Sequence, residues 1–137
     1  MAVYSEIIRL KTAPEKIYDL TQEIQEAVRH SDVTVGICTI SCPGSSAALT
    51  INENDPMMFE DLKKALSKLA PKEALYHDPD KAQAYIRASI LGSEKCIPVI
   101  EGKLAIEEDQ HVFFMEFDRN KKERKVFVVV SGDQPSD

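Results

Sequence analysis

Three groups of residues in this 137-residue chain have types and spacing suited to chemistry. The first is Ser45-Ser46-Ala47-Ala48-Leu49-Thr50-Ile51-Asn52-Glu53-Asn54-Asp55-Pro56, with small hydroxyls before an apolar run and an amide–carboxylate cluster after it. Backbone N–H groups at a helix start, flanked by Asn side chains, form an anion or phosphate site. The same residue types make turns and caps without any ligand, which is their commoner use. The second group is Tyr76-His77-Asp78, an imidazole beside a carboxylate on a loop. That pairing serves a general base or a metal ligand, and Asp78 equally suits a helix N-cap. The third is Glu116 and Asp118, two apart and therefore on one face of a strand, with Phe113, Met115 and Phe117 on the other. If the polar face lines a cleft, Glu116 is a candidate acid, base or hydrogen-bond anchor.

The generic catalytic templates are missing: no P-loop, GxGxxG, HExxH or GxSxG is present. His30, His77 and His111 have no ligand-pair spacing, and a lone histidine is more often structural than metal-bound. Cys38, Cys42 and Cys96 make an odd count without CxxC spacing, against a disulfide scaffold or a zinc knuckle. Cys38 and Cys96 fall in apolar runs and are expected to pack as small hydrophobes. Cys42, before Pro43-Gly44, is a candidate exposed thiol.

A formal charge of −6 lacks the field that draws proteins to nucleic acid. The one basic cluster, Arg119 to Lys125, reads as a solvated hairpin turn. No apolar run approaches the ~20 residues of a membrane span, and residues 1–12 carry no signal-type core. The expectation is a cytoplasmic protein with neither membrane nor nucleic acid as partner.

The elements that position these groups follow from periodicity. Val3–Leu10 reads as a strand. Thr12-Ala13-Pro14-Glu15 has the form of a helix start, with Thr12 as N-cap, and Ile17, Leu20, Ile24, Ala27 and Val28 follow at helical spacing. Val33–Ser41 reads as a buried strand and Ser46–Asn52 as its hairpin partner across Pro43-Gly44. Asn54 or Asp55 caps a helix whose core face is Met58, Phe59, Leu62, Leu66 and Leu69. A third helix spans 79–91, capped by Asp78 and stopped by Gly92. Strands are expected over 96–100, 103–106, 110–118 and 125–131, the last two as a long hairpin, before a frayed tail over 132–137. One α+β domain over residues 1–137, with a mostly antiparallel sheet and three helices, is the result.

Read in order, Leu49-Thr50-Ile51-Asn52-Glu53-Asn54, Asp55-Pro56, His77-Asp78, Ile86-Arg87-Ala88-Ser89-Ile90-Leu91-Gly92, Ile97-Pro98-Val99, Gly102-Lys103-Leu104, Gln110 and Glu116-Phe117-Asp118 resemble the YjbQ-like family across residues 3–131. Members are often labelled secondary thiamine-phosphate synthase. The resemblance implies a large barrel-like mixed sheet, a homotrimer, and a polar pocket near a subunit boundary for a metal or an anion. The label implies a transferase that joins a pyrimidine pyrophosphate to a thiazole phosphate, with a divalent metal, Mg or Zn, as candidate cofactor. Carried over residue by residue, His77 is the acid/base or metal ligand and Glu116 lines the pocket as its catalytic partner. Ser45, Ser46, Asn52, Asn54, Asp55, Arg87, Ser89 and Gln110 hold substrate or anion. The chain also departs from the family pattern. Gly44-Ser45-Ser46 stands where the family has His-Thr-Ser, Tyr85-Ile86-Arg87 where it has His-Ile-Lys, and Glu107-Glu108-Asp109-Gln110 where it has Gly-Thr-Trp-Gln. Of three recurrent imidazoles only His77 remains. Cys42, His111, Tyr85 and Asp109 are the candidate replacements. The alternative to an enzyme is a non-catalytic trimer that binds a small phosphorylated molecule or anion through an altered site.

Overall fold

Val126, Val128 and Val130 are buried while Lys125, Phe127 and Val129 are exposed, and this period of two carries strand β8 (Lys122–Asp133) along the molecule. A computed structural model describes residues 1–135. In it β8 is the second strand of a five-stranded sheet. The order is β1 (Ala2–Thr12), β8, β3 (Val35–Ser41), β5 (Glu94–Ile100) and β6 (Lys103–Leu104), antiparallel at every step. A second sheet has β2 (Ile17–Asp19), β7 (Gln110–Glu116) and β4 (Ala47–Glu53), also antiparallel. The helices are α1 (Thr21–Ser31), α2 (Pro56–Leu69) and α3 (Ala82–Leu91). The architecture is α+β with its strands curled into a half-barrel, as the sequence predicts. No helix among the described residues is long and apolar enough to cross a membrane.

Two cores result. Ile24, Ala27 and Val28 of α1 pack with the inner faces of both sheets, including Cys38, Ile40, Leu49, Val112 and Phe114. The other face of the small sheet, through Ala48, Met115 and Phe117, packs on Leu66 of α2 and on Ala84 and Ala88 of α3. With both faces covered, β7 from Val112 to Glu116, and Phe117 after it, is buried at every position. The large sheet is covered on one face only. Val3, Ile7, Val35, Ile37, Ile100, Phe127 and Val129 remain exposed on the strands of this sheet.

Several expectations are corrected. The first helix does not begin at Thr12, because the tertiary partners of that segment outcompete its capping signal. Thr12 ends β1 and is buried, its hydroxyl donating to Glu116 Oε1 at 2.6 Å. Ala13 N–H donates to Tyr18 Oη at 2.8 Å, Glu15 turns the chain at φ 60°, and Ile17 joins a strand opposite Met115. Both expected hairpins fail: β3 and β4 belong to different sheets, and so do β7 and β8. The Pro-Gly break and the basic segment are crossings between sheets, not turns within one. Val35 and Ile37 leave β3 half-buried instead of buried. Cys96 is exposed and Cys42 is buried, the reverse of what was expected. In α2 the capping reading holds, since Asp55 Oδ1 accepts from Met57 N–H at 2.9 Å, but Leu69 is exposed. Helix α3 starts at Ala82, because Asp78 spends its carboxylate on Asp80 N–H at 3.2 Å in a preceding turn. Gly132 and Asp133 are paired in β8 rather than frayed. Residues 136–137 of the expected tail lie outside the described residues.

Candidate functional site

The start of β4 meets the end of β7, and the polar groups there interlock. Glu116 is fully buried and accepts four hydrogen bonds. Its Oε1 takes Thr12 Oγ1 at 2.6 Å and Arg124 Nε at 2.8 Å, and its Oε2 takes Arg124 Nη2 at 2.6 Å and Asp118 N–H at 3.1 Å. Both carboxylate oxygens are thereby engaged, in a two-pronged pair with a guanidinium. Ser46, also buried, accepts from Arg124 Nη2 at 2.8 Å and donates to Asp118 Oδ2 at 3.0 Å. Burial raises the pKa of Asp118, but donors from Asn120 and Ser46, with Lys122 and Arg124 nearby, outweigh it and hold the pKa below the ordinary value. Arg124 is the member that its place in a charge run conceals. The signal for it was present: it shares the inward parity of Val126, Val128 and Val130.

Beside this cluster a cavity of about 480 Å³ opens between the β3–β4 link and α3. Gly44, Ser45, Tyr85, Ser89 and Gly92 line it. Ser45 and Ser89 thus line one cavity, the Ser89 hydroxyl donating to Tyr85 O at 2.8 Å. Two cations stand behind its glycines without lining it, Lys95 Nζ donating to Leu91 O at 2.8 Å and Arg124 bonded to Glu116 and Ser46. A side chain at Gly44, where φ is 109°, would meet Arg124 Nη1 at 2.9 Å, and one at Gly92 would meet Lys95 Nζ at 3.7 Å. A neighbouring hollow shares Tyr85 and adds Asp80, Asp118 and Arg119. Arg87, one residue from Ile86 and two from Ser89, does not join them. Its Nε and Nη2 both donate to Ala70 O, at 3.1 and 3.0 Å.

The loop that carries His77 is tied to this same end. Lys72 forms an ion pair with Glu15, and Arg119 reaches Asp80 Oδ1 and Pro79 O, both at 3.4 Å. His77 itself is exposed. The Asn-Glu-Asn residues lie at the opposite end of β4. Ala47 pairs with Glu116 but Asn52 pairs with His111, five residues or roughly 17 Å along the strands. There Asn52 Oδ1 accepts from Glu53 N–H at 2.8 Å, Asn54 is exposed, Asp55 caps α2, and Gln110 Oε1 accepts from Glu107 N–H at 2.8 Å. His111 Nδ1 pairs with Asp19 Oδ2 at 2.6 Å, a contact with no sequence signal. Burial raises the Asp19 pKa, and Thr21 and His111 bring it below the usual value. One chain therefore does not gather its predicted site residues into one pocket.

The residues of one chain do not fit a metal centre. No group of three or more His, Cys, Asp or Glu side chains gathers among the described residues. Burial pushes the Cys42 thiol up to about 11 and Cys38 to about 12, which removes the thiolate a metal would need. Of the candidate replacements for the missing imidazoles, Cys42 is thus buried and protonated, and His111 is engaged with Asp19 at the far end.

The family model described as UPF0047 protein YjbQ-like matches residues 6–133. The chain belongs to the YjbQ-like (UPF0047) family. It is 35% identical to a UPF0047 protein of Methanocaldococcus jannaschii over 122 residues, covering 88% of each chain. A UPF0047 protein of Synechocystis is 31% identical over 136 residues, 95% of this chain and 92% of its own. Among solved structures, a YbjQ-like protein of unknown function from Sulfolobus solfataricus P2 matches with TM-score 0.90 and 30% identity, over 96% of this chain and 98% of its own. A YjbQ/UPF0047 protein from Clostridium acetobutylicum matches with TM-score 0.86 and 35% identity, over 92% and 99%. In this YjbQ-like chain, Gly44 and Tyr85, the two positions at which the resemblance implies an imidazole, line the same cavity as Ser45 and Ser89.

Proposed function

We propose that this YjbQ-like protein binds a small anion, a phosphorylated metabolite or a free oxyanion, in the cavity between the β3–β4 link and α3, without a resident metal. The observation that carries the reading is the convergence of Ser45 and Ser89 on one cavity whose wall glycines, Gly44 and Gly92, stand next to the Arg124 guanidinium and the Lys95 ammonium. A lining with hydroxyls and no carboxylate, with cations behind it, suits an oxyanion. Copies of the chain assemble through the exposed apolar face of the large sheet, as the family's homotrimer would. Such a patch favours burial between copies. Assembly also offers the one way for the Asn-Glu-Asn end of a copy to approach the His77 end of another. Three free cysteines suit a reducing, cytoplasmic setting.

The thiamine-phosphate synthase reading is the alternative, and the exposed His77 near the same end of the small sheet favours it. Two measurements separate them. Pyrophosphate at a hundredfold excess over Kd should stabilise the fold by about 2.7 kcal/mol. The Ser45→Ala/Ser89→Ala variant should lose that stabilisation, with no thiamine phosphate formed from the two precursors. Turnover that disappears in His77→Ala would establish the enzyme instead. Stabilisation that survives the double substitution would move the site elsewhere.

A further inference from the structure

Arg87 departs from the role that resemblance gives it, and its actual surroundings call for a ligand. It is 8% exposed and lines a cavity of about 140 Å³, apart from the one at Ser45 and Ser89 and sharing no residue with it. Lys63 and Ser67 of α2, Lys72 and Glu15 surround the opening, and Met115 and Phe117 form an apolar side. The guanidinium's bonds go to one neutral acceptor, the Ala70 carbonyl that closes α2. Its Nη1 makes no hydrogen bond among the described residues. Neither nearby carboxylate is free: Glu15 is paired with Lys72, and Glu116 with Arg124. Glu15 is the carboxylate that Arg87 shares: its pKa is lowered first by its bond from Lys72, against the opposing effect of burial, and further by the charges of Lys72, Arg87 and Lys63. Three cations therefore face one available carboxylate, since Glu116 is committed to Arg124, and a buried cation so incompletely compensated is costly.

Tying α3 to the end of α2 explains two of the N–H groups. It does not explain why Lys63 and Lys72 stand around the same hollow, where like charges raise the cost. An anion resolves both at once. The hollow has room for a few waters or one oxyanion, since a water takes about 30 Å³ of liquid volume, and none for a nucleotide. We propose that the Arg87 cavity is a second anion site, shaped for one phosphate-sized oxyanion held by Arg87 Nη1 with Lys63, Lys72 and the Ser67 hydroxyl. Arginine suits the task because its fork stays charged while buried and can bond the carbonyl and the anion together. The site is independent of the one at Ser45 and Ser89.

The test is a titration of the full chain with inorganic phosphate, read by backbone amide shifts and the Arg87 Nε–H resonance. Saturable shifts at Arg87, Ser67 and Lys72 are expected at millimolar phosphate. Lys63→Glu, an exposed change on α2, reverses one charge at the opening and should weaken these shifts about tenfold. Arg87→Lys should weaken them further by losing the fork. Ser45→Ala/Ser89→Ala should leave them unchanged, which separates this site from the proposed function. Absence of saturable shifts at Arg87 in the unmodified protein, or an affinity that Lys63→Glu does not alter, overturns the proposal. If Arg87→Lys proves unstable, the Lys63→Glu comparison decides.

Discussion

Replacing Glu116 with Gln tests whether this carboxylate holds the fold or waits for a substrate. It is fully buried, and both of its oxygens are taken by donors: Thr12, Arg124 twice, and Asp118 N–H. An amide in its place keeps the shape but turns one end into a donor. Whichever way the amide faces, its NH₂ meets an Arg124 N–H, so at least one bond is lost; facing Asp118 N–H it loses two, and facing Thr12 it keeps the hydroxyl only if that turns to accept and donates to Lys122 O. Arg124, with a side chain 10% exposed, then loses its counter-charge. Breaking one side of a buried pair costs about 3–5 kcal/mol. For a domain of this size that is a Tm lower by roughly 10–20 °C, measured by circular dichroism at fixed protein concentration. The double variant Glu116→Gln/Arg124→Met removes the stranded cation and should recover part of the loss, as a double-mutant cycle would show. A Tm within about 2 °C of the unmodified protein would refute the reasoning. It would show that Glu116 is free to act as an acid or base. A double variant no better than the sum of the singles would refute the coupling.

Three further outcomes follow from the packing and charge. Gly36→Ala should destabilise severely, by more than about 3 kcal/mol in urea unfolding, because a Cβ there would lie 2.0 Å from the Ser131 carbonyl where Gly36 faces Gly132 across β3 and β8. Gln83→Leu should raise Tm or leave it unchanged, since the buried Gln83 Oε1 has no partner among the described residues and such an orphan costs about 1–3 kcal/mol. Asp19, Asp118, Glu6 and Glu15 all have pKa values lowered by folding. Their contribution is complete above the unfolded carboxylate pKa and is lost as pH falls through the lower folded values. Urea midpoints should therefore decline on the acid side of the ordinary carboxylate range and stay level from there to neutrality.

The sequence made the helices and most strands legible because their signals are local. Asp55-Pro56 caps α2, Gly92 stops α3, and valine alternation marks β8. Pairing was not legible, because it is decided by which sheet each strand joins. Thr12-Ala13-Pro14-Glu15 carries a capping box, yet Thr12 serves Glu116, a residue 104 positions away. The Pro43-Gly44 and Arg119–Lys121 breaks look like hairpin turns, but sheet membership sends each chain to a different layer. Of the candidate site, the convergence of Ser45 and Ser89 came through the family resemblance. The separation of Arg87 from them did not, since α3 turns residues 87 and 89 to different sides.

The substitution at Gly44 has a physical companion that bears on what the cavity can hold. Gly44 has φ 109°, a region that side chains rarely adopt, and Arg124 Nη1 occupies the space a Cβ would need. An imidazole reintroduced there would have to rebuild the backbone and displace a guanidinium that is bonded to Glu116 and Ser46. The glycine at the position where the resemblance implies a histidine and the inward guanidinium are therefore two aspects of one local arrangement. The change at Tyr85 is of the same kind, with a phenol at the cavity wall where the family pattern has a second imidazole. Under the anion-binding reading, recognition at this place rests on hydroxyls and a phenol, with the paired guanidinium of Arg124 behind them, in place of the neutral nitrogen ligands that suit metals. The lining of this cavity carries neither an imidazole nor a carboxylate, and the carboxylates that come next, Asp80 and Asp118, line the neighbouring hollow across Tyr85. A base for any reaction in the cavity would therefore come from that hollow or from the exposed loop that carries His77.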